Sequence, residues 1–151
     1  MVLHRICSAR FAATAESAFG GQGGLHGSGR WHQRGRMIVY TAAHRSLALL
    51  EIMVHLDARW PLQPMSAWEI EVPGEFIRTP TDLPDDWKSN LESTRAYGDD
   101  WLSNGTSVAL LVPSVIVPVE FNVLINPLHP DFRLDWVRKG PEPVVIDPRL
   151  I

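Results

Sequence analysis

Six of the ten residues at positions 20–29 (GGQGGLHGSG) are glycine, and this segment limits the fold more than any other in the chain. Glycine loses the most backbone freedom on ordering, so the segment reads as a loop that is either mobile or closely approached by other backbone, not as a regular element. It is not a dinucleotide-binding fingerprint. The glycine order departs from GxGxxG, no apolar strand leads into it, and Arg30-Trp31 and then a strand follow where a helix would be required.

After Arg34-Gly35 the run 37–40 (MIVY) predicts a buried strand, and Thr41 is placed to cap a helix starting at Ala42. Leu47, Leu49, Leu50, Ile52, Met53, Val54 and Leu56 leave that helix almost no polar face, which predicts burial nearly all round. Glu51 sits in its middle, where a carboxylate is costly unless paired or solvated by a cleft. Further along, 68–72 (WEIEV) alternates with period two, 84–104 carries Trp87, Leu91, Trp101 and Leu102 in helical patches, and 107–112 is a continuous apolar strand. The alternations at 121–125 and 132–136 predict two more strands. Strands interrupted by only two or three helices, without a βαβ rhythm, predict an α+β fold. With 151 residues and no repeat or linker, one domain over 1–151 is expected.

Lys+Arg 14 against Asp+Glu 17 gives −3 with both signs scattered, which argues against a nucleic-acid or anionic-membrane partner and leaves any anionic ligand to a few placed cations. A single cysteine, Cys7, excludes an internal disulfide and indicates a reducing compartment, the cytoplasm by default. Cys7 itself reads as a small buried hydrophobe, since nothing near it in sequence would lower its pKa. The longest apolar run, 108–112, is far below the roughly 18 residues of a bilayer span, and MVLHRICSAR has no signal-peptide core. His4, His26, His32, His44, His55 and His129 fit no HExxH or Cys/His zinc spacing, so no metal is expected. Ser114 lies in VPSV, without the glycines of a GxSxG elbow.

Four residues remain that one cleft would unite: Arg30 after the glycine loop, Tyr40 at a strand end, Glu51 in the apolar helix and Ser114 ending a strand. An arginine approached through glycine backbone suits a pyrophosphate, whose oxygens match its planar fork. A tyrosine offers a stacking face, a carboxylate suits ribose hydroxyls and the positive charge developing at an anomeric carbon, and a serine hydroxyl can orient an amide. Together they describe a site for a dinucleotide whose N-glycosidic bond is broken. Taken singly each has a structural reading, with Glu51 paired to His55 one helical turn on as the most direct. The six tryptophans read as core or interface anchors, and Trp31, beside Arg30, is the one that also suits a ligand.

The segments GSGRW (27–31), IVYTA (38–42), LALLEIMVHL (47–56), LLVPSVIVP (110–118) and NVLINPLHPDF (122–132), with Arg5-Ile6 near the start, resemble the RES-domain family, named after its Arg, Glu and Ser. The resemblance makes these Arg30, Glu51 and Ser114, with Ser107 an alternative serine. It implies a central mixed sheet with flanking helices like the ADP-ribosyltransferase fold, and a toxin of a RES-Xre toxin–antitoxin module whose helix-turn-helix antitoxin blocks the cleft. NAD+ is then the substrate, with no cofactor required, and is consumed by hydrolysis or phosphorolysis; in some members ADP-ribose passes to a protein. In that scheme Arg30 holds the pyrophosphate, Tyr40 packs on the nicotinamide end, Glu51 faces the oxocarbenium-like transition state and Ser114 orients nicotinamide or its ribose. His32 departs from the Asn that many members carry there. A non-catalytic nucleotide-binding module is the competing reading.

Overall fold

The computed structural model describes residues 1–56 and 62–151; Trp60 lies outside them. Seven strands form one mixed sheet: β1 (Val2–Ser8), β2 (Val39–Ala42), β3 (Met65–Glu71), β4 (Ile77–Arg78), β5 (Ala109–Pro113), β6 (Phe121–Ile125) and β7 (Val137–Val144). They lie in the order β4-β5-β6-β2-β1-β3-β7, with β4 and β5 parallel and the other pairs antiparallel. Two short helices, α1 (Ala15–Phe19) and α2 (Gly23–His26), precede the longer α3 (Arg45–Met53) and α4 (Leu91–Asn104). This is the expected α+β fold.

Side-chain alternation places the core on both faces of the sheet. Val39, Val123 and Ile125 join Leu3, Ile70, Trp136 and Phe19 of α1 on one face. Leu110, Val112 and Leu124 pack with Trp31 and with Trp101 of α4 on the other. Leu47 and Ala48 of α3 close over Ile6, Ala42 and Ala67.

The sheet is not uniformly paired. β1 is registered to β3 along its whole length, from Val2↔Glu71 to Ser8↔Met65, but meets β2 at His4↔Ala42. Past that pair the two strands part, and the Arg5 guanidinium reaches across to donate to the Tyr40 carbonyl at 3.0 Å. A cleft of about 820 Å³ opens along this parting, lined by Arg5, Cys7 and Ser8 from one side and Tyr40 and Thr41 from the other.

Several sequence expectations are corrected. Thr41 does not cap a helix: it belongs to β2, paired with Val123, and its hydroxyl donates to the Val123 carbonyl at 2.7 Å. The ladder with β6 wins the residues up to Ala42, so α3 begins at Arg45 after His44. Nor is α3 buried all round, since Leu50 is 38% and Val54 57% exposed, with Val54 at the cleft wall. Residues 132–136 are not a strand. Phe132 and Phe76 pack on Trp136 at ring separations of 6.1 and 5.2 Å, and this cluster bends Leu134–Trp136 into a 3-10 turn. The glycine-rich segment holds one helical turn, α2, where a Cβ on the buried Gly24 would collide with the Arg36 carbonyl oxygen. Close backbone approach is therefore its reason for glycine.

Candidate active site

Glu51 reaches the cleft from the second turn of α3. Its Oε1 accepts two hydrogen bonds, from the Ser114 hydroxyl at 2.9 Å and from the Asn122 side-chain amide at 2.6 Å, while Oε2 takes none from any described residue. Charge-assisted bonds of this kind fix a carboxylate's rotamer and leave its second oxygen to face a ligand. The expected Glu51–His55 pair does not form: His55 lies beyond the end of α3 and is exposed. The helix has ended before its turn is complete.

Ser114 is fully buried, and its oxygen also accepts the Ile116 and Val117 N–H groups at 3.1 Å each. Its hydroxyl thus ties the loop after β5 to Glu51 and does not reach the cleft surface. The alternative serine, Ser107, accepts from the Trp101 indole at 2.9 Å and donates to the Ala109 carbonyl, serving the core under α4.

Tyr40 stands on β2 with its hydroxyl enclosed by the loop that carries Arg30. It accepts the Trp31 N–H at 3.1 Å and lies 2.8 Å from His32 Nδ1, whose other nitrogen is 2.8 Å from the Gly27 carbonyl oxygen. Burial pushes the phenol well above its ordinary value, so it stays protonated and offers the cleft an aromatic wall. A Cβ at Gly29 would stand 2.5 Å from that hydroxyl, which is why glycine precedes Arg30. Trp31 is 2% exposed and packed edge-on to Tyr97 at 6.3 Å, so it anchors the loop at the cleft wall.

Arg30 is half-buried, held from behind by the carbonyls of Trp87 and Lys88 at 3.3 and 3.4 Å, long enough to leave its fork for a stronger acceptor. Its own carbonyl accepts the buried Thr94 hydroxyl at 2.6 Å, and Arg95 Nε donates to the Gly29 carbonyl at 2.8 Å. Helix α4 therefore backs the whole loop. Among the described residues Arg5, Arg30 and Arg95 face the cleft with one carboxylate, Glu51, a local positive excess in a chain of net charge −3.

The structure brings Arg30, Trp31, Tyr40 and Glu51 to one cleft and sets Ser114 directly beneath Glu51. Asn122 and Arg95 were missed by the sequence reading. Asn122 carried a signal, a polar residue on the Leu124 face of an otherwise apolar strand; Arg95 carried none, because its partner is 66 positions away. Among the described residues no group of three His, Cys, Asp or Glu side chains gathers as a metal site, and no helix is long and apolar enough to cross a membrane.

Fold and cleft together define a small α+β protein with a cation-rich site of about 820 Å³ built round the anchored Glu51 carboxylate. The family model for the RES domain matches residues 2–147, and the chain belongs to that family. Toxin Res of Yersinia enterocolitica is 35% identical over 154 residues, covering 99% of both chains. The Prs ADP-ribosylating toxin of a Sphingobium strain is 40% identical over 140 residues, 87% of this chain and 85% of its own. Among solved structures, a chain of the M. tuberculosis MbcT–MbcA toxin–antitoxin complex superposes with a TM-score of 0.68 at 15% identity, over 99% of this chain and 85% of that one.

Proposed function

We propose that the cleft binds NAD+ and breaks its nicotinamide N-glycosidic bond, and that the protein is the toxin of a toxin–antitoxin pair. The observation that carries this reading is the Glu51 carboxylate, oriented by Ser114 and Asn122 and facing the same cleft as the Arg30 loop. A cleft of about 820 Å³ falls within the range of small-molecule sites. Arg30 grips the pyrophosphate, Tyr40 packs on the nicotinamide end, with Trp31 behind the loop, and Glu51 stabilises the oxocarbenium-like ribose. The C1′–N bond breaks with its electron pair leaving on nicotinamide. An acceptor then bonds to C1′ and gives up a proton, with NAD+ as substrate and no further cofactor required. Ser114, enclosed as it is, acts through Glu51 and not on the ligand itself. An Xre-type helix-turn-helix antitoxin is the partner proposed to cover the cleft mouth, in the cytoplasm.

The test pairs turnover with stability on one preparation of Glu51→Gln. The glutamine oxygen still accepts from Ser114 and Asn122, so the unfolding midpoint stays unchanged. Nicotinamide release falls on the order of 10²–10³-fold, about 3–4 kcal/mol of transition-state stabilisation. A lowered midpoint with turnover retained overturns the catalytic role. Arg30→Lys, which keeps charge but loses the fork, is expected to lose most activity as well. In cells, expression without the partner arrests growth as NAD+ falls.

A second reading, transfer of ADP-ribose to a protein, is favoured by the name of the Sphingobium relative. It shares the first bond cleavage and differs in the acceptor. Arrest with unchanged NAD+ and label from adenine-labelled NAD+ on a protein would select it. Folded, soluble protein that neither consumes NAD+ nor arrests growth would leave a binding module.

A further inference from the structure

His32 is 4% exposed and both its ring nitrogens are engaged. The Gly27 carbonyl oxygen 2.8 Å from Nε2 only accepts, so Nε2 carries the ring proton. Nδ1 then presents a lone pair, and two donors face it, the Tyr40 hydroxyl at 2.8 Å and the Gly29 N–H at 3.2 Å. The Tyr40 hydroxyl is able to donate to Nδ1 or accept from it, but the Gly29 N–H, which Nδ1 shares with the His32 carbonyl oxygen at 3.1 Å, only donates and so selects the neutral Nε2–H imidazole. Through these contacts one ring holds both ends of the segment preceding Arg30 and fixes the phenol that the Trp31 N–H also meets.

We infer that His32 is a positioning residue for the cleft: its neutral imidazole locks the Gly27–Gly29 backbone to Tyr40 and so presents Arg30 to an anionic ligand, and protonation releases the lock. An imidazolium turns the Nδ1 lone pair into an N–H that opposes the Gly29 amide, leaving that amide to the His32 carbonyl alone, and obliges the Tyr40 hydroxyl to accept where it had donated. The charged groups that act on the ring are Arg95 and Asp99 of α4, one opposing and one favouring the cation, while Arg30 on its own loop acts on the Tyr40 hydroxyl that the ring meets. Burial is the largest influence and favours the neutral ring.

The activity part of the test rests on the NAD+ reading; the spectroscopic part does not. Two-bond 1H–15N spectra at pH 7, with H32N assigning the resonance, are expected to show protonated Nε2 and unprotonated Nδ1. A proton on Nδ1 overturns the inference. For turnover, KM for NAD+ rises about tenfold on the acid side of the parent's profile. H32N accepts from Tyr40 through its amide oxygen and does not titrate, so its profile is flat, with KM within about threefold of the parent at pH 7.5. H32A has KM raised at least about tenfold throughout, chiefly without loss of kcat. An acid limb retained in H32N, or a parental KM in H32A, overturns the positioning role. Should H32A not fold, H32N and the spectra decide. Should the parent not consume NAD+ at all, the function fails separately, and amide protection factors at Trp31 and Gly29, corrected for the intrinsic pH dependence of exchange, read the lock: high at pH 7, lower as His32 protonates, and unchanged with pH if the inference is wrong.

Discussion

At the scale of residues, one carboxylate oxygen organises the site. Glu51 was conspicuous in the sequence because an ionisable group stood in an apolar helix, and Ser114 because it ended a strand. The bond between them spans 63 positions and no local pattern announces it, which is why His55, at helical spacing, was the more direct partner on paper. Ser114 and Asn122 now separate by experiment. Ser114→Ala strips an acceptor from the Ile116 and Val117 amides as well as a donor from Glu51. It costs about 1–3 kcal/mol, or about 2–10 °C in Tm, along with turnover. Asn122→Ala removes one bond from a half-buried carboxylate. Turnover is expected to fall at least about tenfold with a smaller change in Tm, and thermal unfolding beside nicotinamide release on both variants checks the order.

At the scale of elements, legibility followed how far local pattern and tertiary pairing agreed. β6 was readable residue for residue, since Phe121, Val123 and Ile125 alternate and the strand is central. β7 was not, because an edge strand carrying Arg138, Lys139, Pro141 and Pro143 lacks the apolar alternation that marks a strand. β1 offers no period-two apolar alternation, since its core residues Leu3 and Ile6 stand three positions apart and join different clusters. Helix α4 was visible as patches, but its chief demand was not. A Cβ on Gly98 would run into the Trp31 carbonyl oxygen, so helix and loop touch backbone to backbone there. Gly98→Ala gains about 1 kcal/mol of intrinsic helix propensity and is nevertheless expected to destabilise, because the loop carrying Arg30 must move. Circular dichroism melts and NAD+ affinity fall together if this is right, and a more stable variant with parental affinity shows the contact to be slack.

At the scale of the whole molecule, acid acts on stability through two imidazoles withdrawn from water, the half-buried His4 and the buried His32. Burial holds His4 and His32 below the usual histidine value, so between that value and their folded values the unfolded chain binds protons that the native one refuses. Their contribution is complete above about pH 6.5 and is lost as pH falls. Urea titrations at pH 7.5 and 5.5 should show lower stability at the acid pH, and H32N should shrink the difference. A parent as stable at pH 5.5 as at 7.5 contradicts this.

The meeting of β1 and β2 at His4↔Ala42 has a consequence for the protein's lifetime in the cell. A ligand lying along the parting touches both strands and supplies ties that the ladder lacks, so occupancy is expected to stabilise the fold by mass action, about 2.7 kcal/mol at a hundredfold excess over Kd. Limited proteolysis checks it, with protection by a non-cleavable NAD+ analogue expected and an unchanged rate counting against it. On the proposed function the molecule then erodes its own shelter: as its substrate is spent the empty form accumulates, and that form is the one proteases find first.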